Sequence, residues 1–403
     1  MRIDPNNRWF TVLLGVCAGL PALSIDLSAP TLAILPAELG TTVSVAGLSL
    51  SLFMIGFALG QFGGGRASDR IGRRPVLLAA ISVYTLAGVC CAFATTGGQL
   101  AAARFLQGAG AGACAVQASA IVQDLFQGEA ARRKQGAVSV VLTVMPILAP
   151  AIGALIMNVA TWRATYVAMV LGGVALTLAV IVFMGESRPA SARSTVSGLG
   201  IKDGLGLLRG DRFRRVVVVN ALSYGTIFAY IAGAPVVVMG RLGYPALVYA
   251  GLFASTAVAL TSGAMANAAL SRRGVSSDRL VWPGLGTQAV ATLTMTLAGQ
   301  ALPPSAMWLV VPPLLICCFA RGLVSPNMIH LAVSSHRENA GLASAIVGLM
   351  QLLVGAAASV VVAALLPRFG FIAMAAAMTA LSWIAAAIWT MPAKPEGRVS
   401  AVS

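Results

Sequence analysis

"GGGRASDRIGRRPVLL", residues 63–78, places four arginines and an aspartate within nine positions: Arg66, Asp69, Arg70, Arg73 and Arg74. The chain around it is 403 residues long, 58% hydrophobic and only 10% charged. Three readings compete for such a cluster. It is a glycine loop that cradles phosphate, a patch for nucleic acid, or a short connection between two membrane spans.

Composition favours the third. Soluble domains carry about 25% charged residues, enough to cover their surface. Here the mean hydropathy is +0.88 and the charged fraction is far below that level, so the bulk solvent of the folded chain is lipid. Apolar stretches of spanning length, roughly 20 residues, recur to the end. They fall near 9–29, 45–64, 75–95, 98–122, 135–158, 163–184, 216–238, 247–270, 280–300, 306–329, 341–365 and 370–391. Lipid satisfies no backbone group, and long runs without period-two alternation predict helices rather than a barrel. Arg2 and Arg8 before the first run resemble a signal peptide. That run continues past residue 28, and it is read as an uncleaved first span.

The net charge of +15 is explained by topology. With twelve spans and a cytoplasmic N-terminus, 22 of the 27 Lys and Arg residues fall in cytoplasmic segments and three in outer loops. Arg104 and Arg321 lie inside spans. This bias obeys the positive-inside rule, predicts that both termini are cytoplasmic, and removes the need for a nucleic-acid partner. The longest polar interval separates six spans from six. It predicts an N-terminal bundle over 1–185, a central cytoplasmic segment over 186–215 and a C-terminal bundle over 216–403. "ANAALSRRG" after span 8 faintly echoes the opening motif, with its aspartate lost.

The motif itself is similar to the loop between helices 2 and 3 of the major facilitator superfamily. Gly65, Asp69, Arg70, Gly72, Arg73 and Arg74 fill the fixed places of Gly-x-x-x-Asp-Arg-x-Gly-Arg-Arg/Lys. "RFLQGAGAGA" at 104–113 resembles the helix-4 motif of that family and "WRATY" at 162–166 the start of its helix 6. "PILAPAIGAL" at 146–155 resembles the helix-5 antiporter motif, with Ala149 and Ala154 where glycines are common. "PALSIDLSAPTLAILPAELG" at 21–40, "FAYIAGAPVVV" at 228–238 and "SPNMIHLAV" at 325–333 resemble the bicyclomycin and chloramphenicol resistance efflux branch. The resemblance implies an all-α integral membrane protein with twelve transmembrane helices in two six-helix bundles. These would surround a cavity that opens alternately to each side.

Intramembrane ionisable groups are functional candidates. Of the twelve acidic residues, Asp26 alone falls within a predicted span. An unpaired carboxylate is costly there and takes up a proton or a partner, which is the property proton antiport needs. The competing reading is a capped or outward-facing aspartate near the outer end of helix 1, where Pro30 and Pro36 distort the helix. Arg104 cannot shed its charge. Asp26 is its candidate partner, a snorkelling position the alternative. The resemblance turns Arg104 toward the cavity, as the tuner of the proton site. Arg321 lies mid-span. It offers a cation to an electron-rich substrate, gates with an acid, or is tied to carbonyls near Pro326.

Asp26, Gln107, Tyr230, Arg321 and Asn327 form the expected substrate cavity. Pro146, Pro150 and Gly153 form the expected hinge, with the proline pair breaking helix 5. Asp69 is expected to contact nearby arginines or a helix N-terminus and to latch the cytoplasmic gate.

The six cysteines lie in apolar runs and read as buried thiols. His330 and His336 have no carboxylate cluster, so neither a metal site nor a cofactor is expected. The glycines before Arg66 lack the form of a phosphate loop, and no nucleotide domain is visible. Together with these absences, the resemblance implies a monomeric bacterial inner-membrane protein, not an enzyme, that exports small amphipathic drugs against protons. A metabolite transporter of the same fold would share the motifs. A polytopic enzyme would need a polar catalytic cluster.

Overall fold

The computed structural model describes residues 4–188, 206–301, 308–336 and 339–391, and no strand occurs among them. Most of the central segment, Arg337, Glu338, Lys394 and Arg398 lie outside these residues. Long helices follow one another in order. The first half comprises α1 (Arg8–Ser28), α2 (Val43–Ile71), α3 (Arg73–Ala92), α4 (Gly97–Leu125), α5 (Gly128–Val159) and α6 (Arg163–Phe183). The second comprises α7 (Asp211–Pro235), α8 (Ala246–Arg272), α9 (Ser277–Ala301), α10 (Val311–Ser334), α11 (Ala340–Phe369) and α12 (Phe371–Thr390).

Eleven of the described helices are long and apolar enough to cross a membrane. The twelfth, α9, has spanning length but carries Thr287, Gln288, Thr292, Thr294 and Thr296. Gln288, Thr292 and Thr296 are buried against protein, while Thr287 and Thr294 are exposed, and the Thr294 hydroxyl is satisfied by the Val290 carbonyl of its own helix.

The opening motif is not a loop. α2 continues to Ile71, and α3 begins at Arg73. Gly72 alone makes the turn, at φ 111° and ψ 159°, a conformation that side chains disfavour. Pro75 falls in the first turn of α3, where a missing N–H costs nothing. α5 likewise starts at Gly128, seven residues before the predicted span, and carries Arg132, Arg133 and Lys134 on its first turns. It then runs through Pro146 and Pro150 without interruption, so the predicted break in helix 5 is absent. Each proline removes one hydrogen bond, and the flanking bonds keep the helix continuous.

The residues pack as two compact units. The first contains residues 1–196, 228–258 and 355–374; the second contains 197–227, 259–354 and 375–403. In the first unit, α2 and α4 approach until backbone meets backbone. A Cβ at Gly56 would collide with the Phe105 carbonyl oxygen, and one at Gly108 with that of Phe53. In the second unit, a Cβ at Gly263 would collide with the Phe319 carbonyl oxygen, and one at Gly322 with that of Leu260. Phe105 and Gly108 are three residues apart, as are Phe319 and Gly322. So are Phe53 and Gly56, and Leu260 and Gly263. The α2–α4 seam is therefore repeated as the α8–α10 seam, in register.

Small residues at such a seam exchange side-chain volume for dispersion contact between helices. Gly108→Ala is expected to cost about 2 kcal/mol by overpacking and to lower the thermal unfolding midpoint in detergent. Gly98→Ala, where nothing lies within 4 Å of the new Cβ, should leave the midpoint unchanged.

The first unit also joins segments far apart in sequence at the end of the helices opposite the motif. Ser44 Oγ on α2 donates to the Ala363 carbonyl on α11 at 3.1 Å. A Cβ at Gly47 would collide with that of Ala363, and one at Gly355 would stand 2.6 Å from Met54 Cε. Ala154 on α5 packs with Ala246 and Ala250 on α8. Beyond Pro235 the chain widens into a π-helical turn, Val236–Arg241. Arg241 donates to the carbonyls of Leu366 and Pro367, at 2.7 and 2.9 Å.

Candidate functional site

Asp26 lies in α1, only 4% exposed. Its helix carries a polar stripe made by Ser24, Ser28 and Thr31. Each hydroxyl bonds back to its own backbone: Ser24 to Leu20 O at 2.6 Å, Ser28 to Ser24 O at 2.8 Å and Thr31 to Ser28 O at 2.7 Å. Such bonds fill hydroxyls that lipid or apolar packing would leave empty. After Ser28 the chain tightens into a 3-10 segment, Ala29–Ala33, whose start is fixed by Pro30.

The stripe faces α3 and α4. Arg104, 1% exposed, donates to Gln107 Oε1 at 2.7 Å, to Ser28 Oγ at 3.2 Å and to the Ser24 carbonyl at 3.4 Å. Its guanidinium carbon lies 4.2 Å from the Phe53 ring centroid. Ser24 Oγ and the Tyr84 hydroxyl share a hydrogen bond of 2.8 Å. Arg104 is thus held by neutral acceptors and an aromatic face, and no ion pair joins it to Asp26 among the described residues.

Helix geometry gives the reason. Ser24 and Ser28 are one turn apart, and Asp26, two residues from each, projects about 200° away. Asp26 makes no hydrogen bond or ion pair among the described residues. On its side of α1 it lies within electrostatic reach of Tyr249 on α8, which is near Tyr230. The Tyr249 hydroxyl is buried with no hydrogen-bond partner among the described residues. Tyr230 and Tyr249 both pack on Phe253, with ring centroids 6.1 and 6.0 Å away. Gly153 on α5 adjoins this place, since a Cβ there would collide with the Leu27 carbonyl oxygen.

Arg321 and Asn327 belong to the second unit. Asn327 donates to Asn267 Oδ1 at 2.6 Å and to the Leu323 carbonyl at 2.8 Å, which ties α10 to α8. Arg321, 2% exposed, donates to Asn220 Oδ1 on α7 at 3.2 Å and sits 5.6 Å from the Tyr224 ring centroid. Among the described residues its hydrogen bond goes to Asn220 and not to a carbonyl near Pro326. Beside it, Gln288 accepts from Ser223 Oγ at 2.8 Å and donates to Thr226 Oγ1 at 2.8 Å.

The charged motif forms a second, separate site. Asp69 pairs with Arg73 at 3.0 Å and with Arg188. Arg73 is nearly buried and reaches Asp124 on α4 at 2.8 Å and Ser68 Oγ at 2.6 Å. Glu186 accepts from the backbone N–H groups of Arg73 and Arg74, at 2.9 and 3.3 Å. A carboxylate there satisfies orphan donors and complements the dipole of α3. Asp69 therefore meets arginines, and the helix N-terminus is served by Glu186 instead. Arg70 is exposed, and a Cβ added at Gly65 would stand 3.8 Å from the Val116 side chain. Glu186 and Asp124 were not assigned this work from sequence; the sole signal was an acid just after span 6 and another at the end of span 4. Glu186→Ala is expected to cost about 1 kcal/mol, the value of a helix cap, measurable as a lower unfolding midpoint.

A polytopic helical protein with a buried, unpaired carboxylate and close-packed glycine seams has the build of a membrane transporter. Residues 14–359 match the model of the Major Facilitator Superfamily, and the chain belongs to that family. It is a multi-pass membrane transporter rather than an enzyme, and its partners are small-molecule substrates.

It is 31% identical over 355 residues to a protein described as "Uncharacterized MFS-type transporter YdgK" of Bacillus subtilis, covering 86% of each chain. It is 30% identical to the multidrug resistance protein MdtL of Escherichia coli over 58% of this chain and 59% of that one. The chloramphenicol resistance protein of Pseudomonas aeruginosa is 32% identical over 60% of this chain and 57% of its own. The chain thus spans about three fifths of the length of each resistance protein. Two solved folds superpose on nearly the whole chain, each at 16% identity. They are a bacterial homologue of the lysosomal transporter Spinster, inward-facing, with a TM-score of 0.75 over 95% of this chain and 97% of that one. A D-xylose-proton symporter gives 0.73 over 95% and 98%.

Proposed function

We propose that this transporter exports small amphipathic compounds, of the multidrug or chloramphenicol type, across a bacterial inner membrane in exchange for protons. Asp26 carries the reading. It is the one described carboxylate set well inside a spanning helix, it is buried, and it has neither counter-ion nor hydrogen bond among the described residues. Such a group is stable when protonated and costly when ionised. A state change that wets it, or brings substrate to it, releases its proton. Arg104, held one helix face away by neutral partners, biases the field at Asp26 without neutralising it. The similarity to MdtL and to the chloramphenicol resistance protein supports the drug-efflux assignment.

Two six-helix bundles, 1–185 and 216–403, would rock about Asp26, with Pro146, Pro150 and Gly153 as the flexing face of α5. In this reading both termini lie in the cytoplasm. The contact between α2 and α11 at Gly47 and Ala363 then serves as the external gate. The motif around Asp69, Arg73, Asp124 and Glu186 serves as the cytoplasmic latch of the first bundle.

The test is accumulation of a compound panel into everted membrane vesicles containing the protein. An imposed inside-acid gradient should drive uptake of the exported compounds, and collapse of the gradient should stop it. Accumulation that ignores the gradient would remove proton antiport. Movement out of the same vesicles, down the gradient, would favour a proton-symporting importer of metabolites.

A further inference from the structure

The repeated glycine seam gives the second half a register. Phe105 and Gly108 on α4 correspond to Phe319 and Gly322 on α10, so Arg321 stands where Gln107 stands in the first half. The two places are filled differently. On α4 the arginine, one turn earlier, is met by three oxygen acceptors. On α10 the guanidinium has one among the described residues, Asn220 Oδ1, at 3.2 Å.

A buried guanidinium offers five donors and cannot discharge itself. No acid pairs with it among the described residues. The described acids of the second unit are Asp211 and Asp278, at the starts of α7 and α9, and they pair with Arg214 and Arg212. The neighbouring amide adds a second unmet donor, because Asn220 Nδ2 is buried with no partner among the described residues. Turning that amide over would set its N–H groups against the guanidinium, so its orientation is fixed by Arg321. Gln288 offers no relief, since it is occupied by Ser223 and Thr226. A buried cation with a single acceptor among the described residues and an unpartnered amide donor therefore lie side by side, next to an aromatic ring.

We propose that Arg321, Asn220 Nδ2 and the face of Tyr224 form the subsite for an anionic group on the carried compound, a carboxylate or sulfonate attached to an apolar body. The subsite rests on the transporter reading given above but not on its proton coupling, because it is a statement about binding. It makes amphipathic anions a substrate class of this chain. A carboxylate would take a charge-assisted bond from Arg321 and a second from Asn220, with its apolar part against Tyr224.

The experiment uses the full chain in phosphatidylcholine nanodiscs without a pH gradient. The probes are dansylglycine and its neutral counterpart dansylglycinamide, and binding is read from dansyl fluorescence. The wild type is expected to bind the acid in preference to the amide. Arg321→Gln should weaken the acid about tenfold or more, the effect of losing a charged hydrogen bond, and leave the amide unchanged. Asn220→Asp supplies an internal counter-anion. It should abolish the preference while the unfolding midpoint holds or rises, which separates loss of the subsite from loss of fold. Equal binding of acid and amide by the wild type overturns the proposal, as does equal loss of both in Arg321→Gln. Displacement of dansylglycine by phosphatidylglycerol added to the discs would assign the site to lipid headgroups and overturn it too. Failure of gradient-driven transport in everted vesicles would touch the antiport reading alone.

Discussion

Asp26→Asn is expected to reduce gradient-driven accumulation in everted vesicles to the level of vesicles without the protein, while exchange of labelled for unlabelled compound at equal pH persists. Asparagine keeps the shape of a protonated aspartate but cannot release a proton. Among the described residues no hydrogen bond or ion pair is lost with the carboxylate, so the unfolding midpoint should stay level or rise. Removing one partner of a buried ion pair would instead be strongly destabilising. The two measurements together separate a coupling group from a structural one. Full gradient-driven transport by Asp26→Asn would remove Asp26 from the coupling step.

The second large effect is expected at the proposed gate, the contact between α2 and α11. Gly47 and Ala363 are in such close contact that cysteines at both positions form a disulfide after a shift of about 1 Å in Cβ separation. In a background with Cys90→Ser, the remaining native cysteines are buried and slow to react. Oxidation of Gly47→Cys/Ala363→Cys should remove two maleimide-reactive thiols and stop transport. Dithiothreitol should restore it. Transport that continues undiminished with the disulfide formed would show that these helices need not separate during the cycle.

Much of this architecture is written in one dimension. Hydropathy alone locates the spans because lipid leaves the backbone no partner but itself. Their ends are less legible. α2 runs to Ile71 through Arg66, Asp69 and Arg70, since arginine and aspartate are compatible with a helix and only Gly72 demands a turn. The prolines of α5 suggested a break, but two missing hydrogen bonds do not open a helix of 32 residues.

The site was legible in its parts rather than its pairings. Asp26 and Arg104 stand out as ionisable groups in apolar runs, which invites a pair. The alternation Ser24, Asp26, Ser28 already argues against it, because a helix sends the serines and the aspartate to different faces. Asn327 is equally visible as a polar residue in a span, yet Asn267, 60 positions away in sequence, claims it for packing. The correspondence of Phe105–Gly108 with Phe319–Gly322 is too short to recognise in sequence. It emerges once both glycines are seen against carbonyl oxygens of a neighbouring helix.

The measurement that bears most directly on the mechanism is proton release on binding. Purified protein in weakly buffered detergent solution, with a pH indicator, is given a saturating amount of the panel compound that it accumulates most strongly. The wild type is predicted to release protons, and Asp26→Asn to bind the compound and release none. Proton release by Asp26→Asn equal to that of the wild type would contradict the assignment of Asp26 as the coupling carboxylate.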